Sequence, residues 1–307
     1  MTAGAGTRHV AVSGSSGLIG SALCAALAAA GDRVSRLVRD DGASSRPDEI
    51  VFLPEAGRID RSRLRGVDAV VHLAGEGIAA GRWTAERKRR IRDSRVRGTR
   101  LLATALAGLE AGPEVLISAS AIGFYGDRGD DELDEASEPG EGFLPETCVE
   151  WEGETAVAAR AGVRVVLLRS GLVLSARGGA LAKMLGPFRL GLGGRLGHGG
   201  QFVSWIALRD VIAILLWLLA DRAISGPVNA VAPTPVRNEE FTRVLAGVIG
   251  RPAIIPAPAF VLRALLGEMG RELLLASTRV YPARLERAGY RFLDPELDGA
   301  LRYELGR

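Results

Sequence analysis

A chain of 307 residues with 47% hydrophobic and 24% charged residues suits one large α/β domain, or one domain with a smaller annex, and excludes a disordered or fibrous protein. The balance of 39 Lys+Arg against 36 Asp+Glu, a net charge of +3, sets no electrostatic class of partner. Aromatics at 5% leave the core to Ala, Val, Leu and Ile, which favours helices packed on a parallel sheet over an aromatic-rich all-β fold.

From the N-terminus, residues 1–7 lack the basic start and long apolar run of a signal peptide, so a cytoplasmic location is expected. Residues 9–12 read as a short strand, and residues 17–30 as an Ala/Leu-rich helix ended by Gly31 in the C′ position. Cys24 falls in that helix as a small core residue. It and Cys148 are the two cysteines, with no CxxC or Cys/His cluster, so neither a disulfide framework nor a metal site is expected. Residues 34–38 and 50–52 form further short strands. Residues 68–73 are a near-continuous apolar run, as in a parallel sheet covered on both faces.

Residues 84–108 read as a long helix, 115–118 as a strand, 146–161 as a helix and 163–168 as another buried strand. This alternation predicts a doubly wound parallel sheet over residues 8–175, completed by later segments. The long helix carries the one dense basic run, Arg87 to Arg90 with Arg92, Arg95 and Arg97. The run reads as a solvated face. The sharper alternative is that one or two of its arginines reach a phosphate, and no groove-reading motif supports a nucleic-acid partner.

Beyond residue 175 the period is lost. Residues 191–200 are glycine-rich, 210–220 form a helix, and Pro233 and Pro235 break the chain before Asn238, the expected N-cap of a helix to residue 249. Pro252, Pro256 and Pro258 precede a helix over 259–275. Residues 176–307 should therefore form a smaller α-rich, substrate-side region over the carboxyl edge of the sheet. The longest apolar run, residues 211–220, spans only about half a bilayer core as a helix, so it reads as a buried helix and no membrane partner is expected.

The strongest motif follows the first strand. Gly14-Ser15-Ser16-Gly17-Leu18-Ile19-Gly20 has GxxGxxG spacing, opens a helix and begins a βαβ unit, the setting a dinucleotide loop requires. Gly14 permits the tight turn, Gly17 lets the backbone approach a pyrophosphate, and Gly20 lets the helix pack close to the strand. The helix N-terminus offers free N–H groups and a positive dipole end. At the end of the second strand, the slot that holds an acidic residue in NAD-binding folds is Val38, followed by Arg39. Loss of the carboxylate removes repulsion of a 2′-phosphate, and a guanidinium can pair with it, so NADP(H) is the expected cofactor.

Longer segments carry a resemblance. Residues 14–20 and 68–75, with Leu73-Ala74-Gly75-Glu76-Gly77-Ile78, Arg82-Trp83-Thr84, residues 118–127, 187–194 and 235–241, resemble the extended short-chain dehydrogenase/reductases of the Rossmann fold. Specifically they resemble the atypical NAD(P)-dependent epimerase/dehydratase-like subgroup with its own C-terminal domain of unknown function. The resemblance covers residues 9–303. It implies that Leu73, Ala74 and Gly75 line the adenosine and pyrophosphate side. Arg95, in Arg95-Val96-Arg97-Gly98-Thr99, would contact the cofactor, Ser120 would be the active-site Ser/Thr, and Ser170-Gly171-Leu172 would face the nicotinamide. It also implies dimerisation through two helices, one of which here carries Glu150, Glu152 and Glu154.

Typical members of that family place a Tyr-x-x-x-Lys pair on the helix after the fifth strand, where the tyrosine is the acid/base. This sequence has no such pair, and Cys148 and Glu152 fall in its slots. Tyr125 beside Ser120 is a candidate substitute proton donor. Cys148 as a nucleophile lacks a partner base, since His9, His72 and His198 have no evident link to it. Ala207 stands where close relatives have His. Arg189, Arg195 and Gln201, near a glycine-rich stretch that could act as a substrate lid with His198, read as surface residues rather than substrate contacts. Two functions stay open: an NADP(H)-dependent oxidoreductase or epimerase acting on a small molecule, and a non-catalytic NADP(H)-binding sensor or scaffold.

Overall fold

The computed structural model describes residues 7–39, 46–79 and 81–307. Eight strands build the central sheet: β1 (His9–Ser13), β2 (Arg33–Val38), β3 (Glu49–Leu53), β4 (Arg58–Ile59), β5 (Ala69–His72), β6 (Val115–Ala121), β7 (Arg164–Ser170) and β8 (Gly226–Ala230). Their spatial order is β8-β7-β6-β5-β1-β2-β3-β4. Every adjacent pair is parallel except β3–β4, which is antiparallel. The order reverses at β1, whose neighbours are β2 and β5, so a crevice opens beyond the carboxyl ends of these three strands.

Helices cover both faces. On one, α1 (Leu18–Ala29) and α6 (Leu208–Ala220) bury Leu23, Leu27, Val211 and Leu215 against Val10, Val12, Val71 and Ile117. On the other, α2 (Ala85–Ala107) and α4 (Ala156–Arg160) bury Leu102, Leu106 and Ala158 against Ala11, Val70 and Leu116. The alternation of strand residues between these two cores is the period-2 pattern of a sheet buried on both sides. Gly31, at φ +83°, closes α1 in the left-handed region, and the Thr84 hydroxyl caps α2 by accepting from the Arg87 N–H at 3.1 Å.

Between residues 143 and 161 the structure departs from a single helix. α3 (Phe143–Gly153) starts three residues before Glu146, because Pro145 fits the first turn, where its missing N–H has no intrahelical partner to lose. The chain then breaks before α4. The remaining helices are α5 (Gly179–Arg189), α7 (Asn238–Ile249), α8 (Ala259–Leu266), α9 (Ala283–Arg287) and α10 (Leu297–Leu305). α5, α7 and α10 enclose a third core with Trp205 and Phe241 beside a short parallel pair, Leu172–Leu174 with Trp205–Ala207. Asn238 is not the N-cap of α7. It is the first helical residue, and its Oδ1 accepts from the Leu196 N–H at 2.8 Å. The expected helix over 259–275 is interrupted at Gly267, φ +60°, and resumes as a π-helical turn at Gly270–Leu275. Among the described residues no helix is long and apolar enough to cross a membrane.

Candidate functional site

The glycine loop lies at the sheet's switch point, and the lack of a side chain is a steric requirement at two of its positions. A Cβ on Gly14 would fall 2.8 Å from the Leu73 carbonyl carbon and 2.9 Å from Ala74 N, and its φ is +67°. A Cβ on Gly20 would fall 2.2 Å from the Gly14 carbonyl oxygen, so this glycine admits the turn itself rather than the strand behind it. Ser13 clamps the same place. Its hydroxyl accepts from the N–H groups of Leu73 (3.1 Å) and Ala74 (3.2 Å) and pairs with His72 Nδ1 at 2.6 Å. Burial pushes His72 down to about 4, so the imidazole is neutral. The loop of Leu73, Ala74 and Gly75 is thereby fixed against Gly14. Ser16 and Gly17 are exposed ahead of the first turn of α1, while Ser15, Leu18 and Ile19 are half-buried. Val38 ends β2, and Arg39 follows it, exposed. Leu18 also carries the start of α5, since Cβ atoms on Gly178 and Gly179 would lie 3.5 and 3.4 Å from it. Half-buried Leu172 begins the segment leading there.

Arg95 lies on the Gly75 side of this crevice. A Cβ on Gly75 would sit 3.5 Å from its guanidinium carbon. Its Nη1 donates to the carbonyls of Glu76 and Ile91, both at 3.0 Å, and its guanidinium carbon is 5.1 Å from the Trp151 ring centre. Burial pushes its pKa down from the ordinary arginine value. The rest of the basic run is largely neutralised in place: Arg87 pairs with Glu76, Lys88 with Glu268, Arg90 with Glu86, Arg92 with Glu150 and Arg97 with Asp93.

Ser120, next to last in β6, is buried, and its hydroxyl donates to Glu152 Oε1 at 2.6 Å. Glu152 is held in a two-pronged pair by Arg169 of β7, with Nε to Oε1 and Nη2 to Oε2 both at 2.8 Å. Arg169 Nη1 donates to the Tyr125 hydroxyl at 3.0 Å, and that hydroxyl donates to Asn229 Oδ1 at 2.7 Å. The structure therefore does not present Tyr125 as the expected proton donor. Its side chain is fully buried, its hydroxyl is engaged in both directions, and burial raises its pKa. Cys148 is buried too. Its thiol donates to the Ala121 carbonyl at 3.9 Å, and burial pushes it up to about 12.

Sequence reasoning missed Arg169 and Asn229. The available signal was a charged residue closing an otherwise apolar strand, where a buried arginine needs a partner. Gln201 is not a surface residue as expected. It is buried, and its Nε2 donates to the carbonyls of Leu196 (3.0 Å) and Leu274 (3.1 Å), tying the glycine-rich stretch to the π-helical turn. Arg189, Arg195 and His198 are exposed.

Residues 10–230 match the profile of the NAD dependent epimerase/dehydratase family, and residues 257–304 match a domain of unknown function, DUF1731. With the Rossmann-type sheet and its glycine loop, this places the chain in a class: it belongs to the NAD dependent epimerase/dehydratase family of extended short-chain dehydrogenase/reductases, in the subgroup with that C-terminal domain. It is similar to an epimerase family protein of Mycobacterium bovis, 46% identical over 298 residues that cover 97% of this chain and 98% of the relative. A crystal structure of human epimerase family protein SDR39U1 (isoform 2) with NADPH superimposes with a TM-score of 0.88 at 34% identity, covering 98% of this chain and all of that one. A nucleoside-diphosphate sugar epimerase of Corynebacterium glutamicum superimposes with a TM-score of 0.81 at 38% identity, covering 98% of this chain and 58% of that one.

Proposed function

We propose that this chain binds NADP(H) beyond the carboxyl ends of β1, β2 and β5 and acts as an oxidoreductase or epimerase on a small carbonyl- or carbinol-bearing substrate. The observation that carries the reading is the turn at Gly14. No side chain fits there or at Gly20, because each would strike the chain's own backbone, and Ser13 locks the neighbouring backbone in place, so the turn is held tight with Ser16 and Gly17 exposed at the N-terminus of α1. The human relative solved with NADPH supports the choice of nucleotide.

In this reading the segment Gly14 to Ile19 holds the pyrophosphate. Val38 and Arg39 admit and pair a 2′-phosphate, Leu73 to Gly75 line the adenosine side, and Leu172 lies at the nicotinamide. The bound nucleotide supplies or takes a hydride. Ser120 has its proton directed at Glu152, so toward a ligand it offers lone pairs. It accepts from a substrate hydroxyl or a bound water, and that water is the proton source for a carbonyl. A second reading, an NADP(H) sensor or scaffold without turnover, is favoured by one finding: the chain has no tyrosine followed four residues later by lysine, and the two nearest acid candidates, Tyr125 and Cys148, are buried with raised pKa values.

The test is calorimetric titration of the purified protein with NADPH and NADH, with Arg39→Glu as control. NADPH should bind more tightly than NADH. Hydrogen bonds to a charged group are worth about 1.5–3 kcal/mol, so the substitution should weaken NADPH by roughly 10- to 100-fold. Absence of binding by either nucleotide would sink the reading. NADPH oxidation over a panel of small carbonyl compounds then separates enzyme from sensor.

A further inference from the structure

Six of the nine large hydrophobic side chains that stand exposed among the described residues lie on one stretch of surface. They are Leu190, Leu192, Ile254, Ile255, Phe260 and Leu265, at 49–79% exposure. The backbone makes them neighbours. Residues 190–197 run beside residues 252–259, joined by the Ile255 N–H to the Gly193 carbonyl at 3.1 Å, the Ala257 N–H to the Arg195 carbonyl at 2.9 Å and the Gly197 N–H to the Ala257 carbonyl at 2.8 Å. α8 follows at once, and none of its eight residues is buried. Phe260, Ala264 and Leu265 share its outer side, while Leu266 packs inward against the Trp83, Phe143 and Met269 cluster. Single exposed apolar residues need no account, but a concentration of them marks a surface that meets something.

The charges around the patch say what it meets. Neither residues 155–209 nor residues 241–267 contain an Asp or a Glu. Along the border with α7, Glu239 and Glu240 stand with Arg195 and Arg243 and balance them. Past the end of α8, Glu268 is taken by Lys88. Arg189, Arg251 and Arg263 are exposed and make no ion pair among the described residues. The patch is therefore apolar with a net positive rim. A second copy presenting the same face would set these guanidiniums against one another, and like charges brought together oppose association. An anionic bilayer surface satisfies both features: the boundary between headgroups and acyl chains takes Phe260, Leu265 and Ile254, and the lipid phosphates take the arginines. No described helix is long and apolar enough to cross a membrane, and lying on its surface needs none. We propose that this face, made of residues 189–192, residues 251–255 and the outer side of α8, docks the protein on an anionic lipid surface.

The experiment is co-sedimentation of the full chain with vesicles of phosphatidylcholine alone and of phosphatidylcholine with about one-third phosphatidylglycerol. It compares the wild type, Phe260→Ser with Leu265→Ser, and Arg251→Gln with Arg263→Gln. All four positions are exposed, so melting curves should match that of the wild type. If the serine pair melts early, Ile254→Ser takes its place. The wild type should sediment with the anionic vesicles, stay in solution with the neutral ones, and lose binding as salt is raised. The glutamine pair should weaken binding by roughly 5-fold for each charge removed, and the serine pair by about 10-fold or more. A wild type that ignores the anionic vesicles or binds the neutral ones equally overturns the proposal, and so does a serine pair that binds as the wild type does. Sedimentation velocity without lipid is the second arm. A dimer that the serine pair disperses, with no vesicle binding, gives the face to a second copy and overturns the proposal.

Discussion

Replacement of Arg169 by methionine tests the physical account of the buried network. The Arg169 and Glu152 side chains are only 5% and 9% exposed and meet through two hydrogen bonds of 2.8 Å. Arg169 also stands 3.4 Å above the Phe124 ring centre and donates to Tyr125. Methionine fills much of the same volume but leaves Glu152 desolvated with Ser120 as its only remaining side-chain donor among the described residues. Breaking such a pair from one side costs about 3–5 kcal/mol, whereas removing both partners is close to neutral. Arg169→Met should therefore lose about 3–5 kcal/mol in urea unfolding followed by tryptophan fluorescence and far-UV circular dichroism. Arg169→Met combined with Glu152→Gln should recover at least half of that. A single-variant loss under about 1 kcal/mol, or a double variant whose loss equals the sum of the two singles, would refute the claim that the charges depend on each other.

Two further predictions come from buried titratable groups. His72 is held neutral at about 4 in the folded chain against an ordinary 6.5, so the unfolded chain takes up the proton first as pH falls. Its contribution is complete above about pH 6.5 and shrinks toward pH 4, by about 3 kcal/mol at 1.36 kcal/mol per unit. His72→Asn, which can still hydrogen-bond Ser13, should lose that much less stability than wild type between pH 7 and 4, and parallel curves would contradict the assignment. Cys148, pushed up to about 12, and buried Cys24 should both resist dithionitrobenzoate at pH 8 until the protein is unfolded, when two thiols react. Prompt labelling of the native Cys24→Ala variant would show that Cys148 is open to solvent.

The sheet and the glycine loop were legible because their determinants are local. Strand residues alternate between two cores, and Gly14, Gly17 and Gly20 are spaced by a single turn and the helix it opens. What escaped was set by partners distant in sequence. Asn238 has the composition of an N-cap, yet its side chain is claimed by Leu196, 42 positions away. Gln201 reads as a surface residue until Leu274 is brought beside it. Glu152 in a lysine's slot looked like the loss of a site, and only the arrival of Arg169 from the next strand shows it neutralised and holding Ser120. Tyr125 follows Ser120 by five positions, but the sequence could not say that its hydroxyl meets Arg169 and Asn229.

The last sheet strand has a consequence for how the molecule is made. β8 hydrogen-bonds along β7, and α6 lies just ahead of it in the chain. While only residues 1–175 have left the ribosome, β7 is a bare edge with unpaired backbone groups, and the sheet face that α6 covers is greasy and wet. The nucleotide-binding layer cannot close until synthesis has passed residue 230 and that length has cleared the exit tunnel. A nascent chain stalled earlier should depend on chaperones, and a gene fragment ending near residue 175 should yield aggregate instead of an independent domain.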